Sequence, residues 1–424
     1  MQNRFLSPNN YPAEPATPRN RYALGVIFSI MLMDIVGVTG FNPVTPFLVQ
    51  RYSHAALAVT FVTVVYAAAQ FLATPLMGKL GDRYGRRPVL LVSLFGQVVG
   101  YAIFGVGGAL WVLYLGRLIG GITGGNFSTA SAYIADVSKP EERSKNFTLI
   151  GIAWSIGLIV GPAAGGILGQ VDKTFPAFVA AALSLLNVLV SYFLLPESLP
   201  KERRQVVPLR GSDFNPITAI LEMGRKPGLS GLLVVSCLFN FAFMGINSTS
   251  TLFYIQKFAV DPGQLGFLMA LAGISLAVVQ FVLVQRVVKR FGEKRVCVVS
   301  LVGQVFGNLA LFFSPVLWGI YLINMGITAI SGFTFPTLTT LCTSRVPHRE
   351  VGLLMGVTSA LGSLMNIIGP IWGGLMFDKV MVGAPYWMGA VILLLAAGLL
   401  FRQPGATPVT GSAEAPGILK TPGV

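Results

Sequence analysis

RYGRRPVLLVS, residues 83–93, returns as RFGEKRVCVVS at residues 290–300, an offset of 207. A second pair, GPAAGGIL (161–168) and GPIWGGLM (369–376), is offset by 208. Two matches at nearly one spacing, in different parts of the chain, imply a duplicated unit. The sequence around them is apolar: 54% of the 424 residues are hydrophobic and 11% charged, with a mean hydropathy of +0.71. Soluble domains carry about 25% charged residues, so the chain is composed for lipid. Apolar runs of 18 or more residues are candidate spanning helices. Twelve are predicted, over 22–48, 56–77, 89–107, 110–135, 147–169, 175–195, 229–255, 263–285, 296–314, 316–341, 352–377 and 385–401. The expected fold is an all-α membrane protein with twelve transmembrane helices in two pseudo-symmetric six-helix bundles.

The bundles are expected at 22–195 and 229–401, joined by a cytoplasmic linker at 196–228 that contains PESLPKERR. Residues 1–21 and 402–424 read as disordered cytoplasmic tails. The first apolar run is too long for the core of a cleavable signal, so it is expected to remain as a span. With the N-terminus on the cytoplasmic side, the inner segments hold 25 of the 30 Lys and Arg. The outer loops hold 4, Arg51, Lys173, Lys257 and Lys379, and the last, Arg117, lies inside span 4. That asymmetry is a positive-inside signal placing both termini in the cytoplasm of a plasma (inner) membrane protein. It also accounts for the net charge of +14 without nucleic acid, since no basic soluble domain remains to bind it. Cys237, Cys297 and Cys342 are scattered singly, and His54 and His348 both fall between spans, so no metal site or cofactor is expected.

Three stretches carry polar groups that a purely apolar bundle would not need. GKLGDRYGRRP (78–88), between spans 2 and 3, combines Gly78, Gly81 and Gly85 with Asp82, Arg83, Arg86 and Arg87. Span 5 reads GIAWSIGLIVGPAAGGILG (151–169), where Gly157, Gly161, Gly165 and Gly169 recur every four residues and Pro162 adds a bend. Such a smooth stripe allows close helix packing in lipid. Span 4 begins LWVLYLGRLIGG, with Arg117 deep in it.

Of the 16 acids, only Asp34, in MLMDIVGVTGF (31–41), sits well inside a span. It lies 12 residues past Tyr22, about 18 Å from the inner face and roughly 12 Å from the outer. Arg117 comes to about 10 Å from the outer face. A facing pair is geometrically open, and intramembrane ionisable residues are functional candidates. The alternative is a purely structural ion pair. By the repeat, Asp34, Asp82 and Arg117 correspond to Phe241, Lys289 and Asn324, so the charged machinery is concentrated in the first half.

The 78–88 loop resembles the signature of the major facilitator superfamily, and the resemblance extends over residues 22–401. It implies that this loop latches the cytoplasmic ends of the halves together when the transporter faces outward. The span 5 stripe resembles the antiporter signature of facilitators that exchange substrate for protons. Span 4 resembles the motif whose buried Arg is linked to proton transfer. The first half looks most like the tetracycline/proton antiporters and related drug exporters, through MDIVGVTGFNPVTP (33–46), DRYGRRPVLLVSLFG (82–96) and LWVLYLGRLIGGITG (110–124). Where those exporters carry further membrane acids, this chain has Gly100 and Gln304. The missing charge favours a less charged or apolar substrate over a metal–tetracycline cation.

The resulting expectation is export of a small, drug-like organic molecule in exchange for protons by alternating access. Asp34 carries the proton, and movement of Arg117 switches its affinity. Proton-coupled uptake or facilitated diffusion of a small metabolite is the alternative. An enzyme is not expected, because no second acid, His or Cys joins Asp34 in a catalytic constellation. No nucleotide-binding loop is present to supply ATP drive. Candidate cavity residues are Asn42, Tyr66, Gln70, Asn126 and Trp154 in the first half, and Asn240, Phe243, Asn247, Asn324 and Asn366 in the second. Each could equally serve helix packing. One chain with two halves supplies a complete path, so a monomer is expected to be the working unit, its partners being substrate, protons and the bilayer.

Overall fold

The computed structural model describes residues 18–139, 142–204, 217–226, 228–347 and 350–403. The expected tails at 1–17 and 404–424, and part of the linker at 205–216, lie outside these residues. Among those described, the secondary structure is helical. The first half contains α1 (Pro18–Gly40), α2 (Thr45–Gln50), α3 (Ala56–Tyr84), α4 (Arg86–Val106), α5 (Leu110–Thr123), α6 (Asn126–Val137), α7 (Arg143–Val171) and α8 (Phe175–Leu194). Then come α9 (Ile217–Gly224), α10 (Ser230–Phe258), α11 (Pro262–Val278), a π turn (Val279–Leu283) and α12 (Val284–Phe291). The second half is completed by α13 (Glu293–Phe313), α14 (Leu317–Thr343), α15 (Val351–Lys379) and α16 (Ala384–Arg402). Residues 18–21, expected in the tail, form the first turn of α1, and the linker contains α9, an apolar segment of eight residues that is too short to read as a span.

Eleven helices among the described residues are long and apolar enough to cross a membrane. The twelfth span is α5 and α6 together, expected as one helix over 110–135 but broken at Gly124–Gly125. The duplication is visible in the helix boundaries. α4 and α13 both run 21 residues at an offset of 207, and α7 and α15 both run 29 at an offset of 208. Even the turn before each 21-residue helix repeats: Gly85 has φ +104° and Gly292 has φ +80°, a region that favours glycine.

The halves depart from symmetry in few places. The first half breaks span 1 at Phe41–Val44, where Pro43 cannot continue the helix, and breaks span 4 at Gly124–Gly125. The corresponding α10 and α14 run unbroken. The second half instead carries the π turn in span 8.

Buried apolar residues form three clusters. One, including Phe41, Leu48, Val59, Phe104, Leu252, Leu265, Leu311 and Phe377, draws on both halves. It lies at the end where α3 and α11 begin, remote from most of the Lys and Arg. At the opposite, basic end each half has a cluster of its own, with Ile27, Leu94 and Tyr133 in the first half and Leu301, Leu341 and Leu393 in the second. The halves are therefore joined at the far end and separate toward the basic end. The joining helices are α7 with α11 and α3 with α15.

Candidate functional site

Both breaks in the first half frame the charged residues. Where span 4 opens, Gln70 Nε2 donates to the Gly124 carbonyl at 2.9 Å, and Ser93 Oγ donates to the Thr123 carbonyl. Backbone groups in a bilayer need such internal partners, so the Gln70 amide is committed to the break. The next residue after the break, Asn126, is buried and donates from Nδ2 to Asp34 Oδ2 at 2.8 Å. The other carboxylate oxygen, Oδ1, is buried without a partner among the described residues. Beside it lies a cavity of about 20 Å³ lined by Ile30, Met31, Ile35, Leu90, Asn126 and Ala130. That is room for about one water molecule.

Arg117 makes no ion pair with Asp34 in this conformation. Its guanidinium lies over the rings of Phe41 and Tyr66, with Cζ 4.7 and 4.6 Å from their centroids. Its Nε has no hydrogen-bond partner among the described residues. Phe41 is presented by the break in span 1, and it also packs against Tyr101 and Phe104 at 5.4 Å between centroids. Two residues missed in the sequence complete the cluster: Gln97, 1% exposed and beside the Tyr66 hydroxyl, and Tyr101, 3% exposed with its hydroxyl unpartnered among the described residues. They stand one turn apart on α4. Gln97 was detectable as a lone amide in an apolar span, and the repeat places it opposite Gln304.

The remaining cavity candidates are dispersed. Asn240 bonds its own helix at Ser236 O (2.8 Å), and Asn324 accepts from the Tyr254 hydroxyl at 3.3 Å. Phe243 stacks on Phe239, Asn42, Trp154 and Asn247 are exposed, and Asn366 is partly buried. Gln304, where a second acid was sought, donates to Thr334 Oγ1 at 2.8 Å and Ser300 O at 3.2 Å inside the second half. Gly100 sits at the crossing of α4 and α5, where a Cβ would stand 2.8 Å from Gly116 O. That position has no room for a carboxylate.

The 78–88 segment is less a loop than a helix junction. Gly78 through Tyr84 finish α3, Gly85 turns, and Arg86 starts α4. Buried Arg86 pairs with Asp82 at 2.7 Å and Asp136 at 3.1 Å, and reaches Gly78 O at 3.5 Å. Its backbone N–H donates to Glu197 Oε1 at 2.8 Å. Arg87 donates to Tyr192 O, while Arg83 lies over the Tyr84 ring. These partners all belong to the first half or the start of the linker. The span 5 stripe packs on α1 and the break that follows it: Gly157, Gly161, Gly165 and Gly169 meet Ile35, Thr39, Gly40 and Val44 in turn. Thr39 Oγ1 bonds Gly157 O at 2.9 Å within that seam. The neighbouring face of α7, at Pro162 and Gly166, meets Gly266 of α11 across the halves.

The sequence profile described as Major Facilitator Superfamily matches residues 27–261 and 234–422. The chain belongs to the Major Facilitator Superfamily. This facilitator is 34% identical over 356 residues to the tetracycline resistance protein, class C, of Escherichia coli, covering 83% of this chain and 89% of the relative. It is 27% identical over 381 residues to multidrug resistance protein 2 of Bacillus subtilis (strain 168), covering 88% and 94%. Among solved structures, the bacterial homologue of the human lysosomal transporter Spinster, inward-facing and occupied, superposes with a TM-score of 0.74 at 17% identity over 91% of this chain and 97% of the other. The human organic anion transporter MFSD10 (TETRAN) superposes with a TM-score of 0.67 at 24% identity, over 91% and 100%. These likenesses support one fold, that of a multi-pass membrane transporter rather than an enzyme.

Proposed function

We propose that this facilitator exports a small, drug-like organic molecule in exchange for protons, with Asp34 carrying the proton. The observation that carries the reading is the Asp34 carboxylate itself. It lies in mid-span with one oxygen held by Asn126 and the other facing a water-sized cavity without a partner. An intramembrane carboxylate is costly, and a structural role would have given it a cation. Arg117 instead rests on aromatic rings. The resistance proteins to which the chain is similar favour export over uptake.

The basic end is taken as cytoplasmic, so both termini lie on the cytoplasmic side of the plasma membrane and this conformation faces inward. In it, Asp34 releases its proton toward the cytoplasm, Asn126 fixes the orientation of the carboxylate, and substrate enters between the separated halves. Rocking closes the basic end, where Gly78, Asp82, Arg83, Gly85, Arg86 and Arg87 form the inner latch, and opens the far end for release. The stripe from Gly157 to Gly169 keeps α1 rigid against α7, so that Asp34 moves with its half. One chain carries every group named, and the monomer is the working unit.

The test uses inverted vesicles from an efflux-deficient host, with tetracycline and a set of fluorescent dyes as probes. The parent should accumulate at least one probe when the vesicle interior is made acidic. Asp34→Asn should lose this gradient-driven accumulation while retaining exchange of labelled for unlabelled probe. Accumulation by Asp34→Asn at the parent rate would overturn the assignment.

A further inference from the structure

α3 begins without a cap of its own. Its N-cap residue is Ala55, which offers no side-chain acceptor. The repeat makes the contrast visible. The corresponding helix α11 is capped by Asp261, whose carboxylate accepts from Gln264 N at 2.8 Å while Gln264 Oε1 accepts from Asp261 N at 3.1 Å. The first N–H groups of α3 are capped from the other half. Asp378, in the last turn of α15, accepts from Ala56 N at 2.7 Å and from Leu57 N at 2.9 Å. Gly374, one turn earlier, lies against Leu57 and Thr60 and lets the two helices approach.

We propose that Asp378 is a positioning residue for the transport cycle: it holds the halves together at the far end by capping α3 from the opposite half. The cap exists only while that end is closed. A carboxylate at a helix N-terminus gains charge-assisted hydrogen bonds and the favourable end of the helix dipole. Both are lost to water when α15 draws away. The contact therefore favours the conformation seen here over the one open at the far end. The pseudo-symmetric seam offers a weaker counterpart, Gln170 Nε2 to Asp261 Oδ1 at 3.4 Å, but there α11 keeps its own capping box when the halves part. The proposal rests on the alternating-access reading above, and its test is independent of proton coupling.

The test reads spin-label distances in a chain with Cys237, Cys297 and Cys342 replaced by Ser. Val106→Cys with Phe313→Cys reports the far end, and Tyr84→Cys with Phe291→Cys the basic end. All four positions are exposed, and each pair is related by the repeat. Removing two hydrogen bonds to a charged acceptor should shift the closed-to-open ratio at the far end by roughly tenfold or more in Asp378→Ala. Asp378→Asn, which keeps one acceptor without the charge, should shift it less. The deciding variant is Ala55→Asp/Asp378→Ala, which caps α3 from its own half. The latch predicts that the shift persists, whereas a role confined to stabilising α3 predicts return to the parent ratio. An unchanged ratio in Asp378→Ala and Asp378→Asn, or rescue by Ala55→Asp, would overturn the proposal. If Asp378→Ala does not fold, Ala55→Asp alone serves: its own cap competes with Asp378 and should shift the ratio the same way, and no shift counts against the latch. The distances are read without substrate or gradient, so a parent that proves uncoupled leaves this result intact.

Discussion

Asp34 and Arg117 were legible as the only ionisable pair deep in the spans, but their relation was not. Helix rotation and the break in span 1 decide it, and neither is written in hydrophobic periodicity. A guanidinium over two aromatic faces gains about 2 kcal/mol or more when desolvated, which lets Arg117 remain charged without drawing on Asp34. Gly100 illustrates the opposite limit of sequence reading. Absence of an acid there suggested a different substrate charge, whereas the structure supplies a steric reason, the close crossing of α4 and α5. We predict that Gly100→Asp yields no additional anionic site. It should instead lower the amount of folded protein recovered in detergent severalfold, measured by fluorescence-detected size exclusion.

At the scale of elements, the twelve spans were readable because a bilayer demands about 20 apolar residues for each. The breaks were not, since Gly124 and Gly125 sit in a run whose composition is helical on both sides. Their sign lies in polar side chains elsewhere: Gln70 and Ser93 occupy spans 2 and 3 because the carbonyls freed in span 4 need donors. The regular spacing of the glycine stripe was legible, but its partner, span 1, required the fold. Glycines of α7 differ in what they tolerate. A methyl at Gly165 would overlap the Gly40 carbonyl, whereas at Gly151, on the same helix but outside the stripe, nothing lies within 4 Å of one. Gly165→Ala is expected to destabilise the protein by about 1–3 kcal/mol, the cost of overpacking, and to lower its melting temperature in detergent. Gly151→Ala should leave it unchanged or raise it slightly, because alanine is favoured over glycine in a helix by about 1 kcal/mol.

The duplicated architecture and the charge asymmetry of the whole molecule were evident from sequence, because repeats and Lys/Arg counts need no geometry. Which end is closed was not, because one sequence encodes every conformation of the cycle. The arrangement of apolar clusters supplies that answer, with one cluster shared at the far end and two separate at the basic end. The shared cluster also has a thermal consequence. Opening the far end hydrates Leu252, Leu265 and their neighbours in that cluster. Hydration of apolar surface raises heat capacity, and apolar association weakens on cooling. The balance between the two conformations should therefore be curved in temperature, with the population open at the far end growing in the cold. The Val106→Cys/Phe313→Cys distance, followed between samples equilibrated at different temperatures before freezing, measures it, and a population that falls on cooling would contradict the expectation. A transporter whose far end is sealed by apolar contact acts, in this respect, as a thermometer.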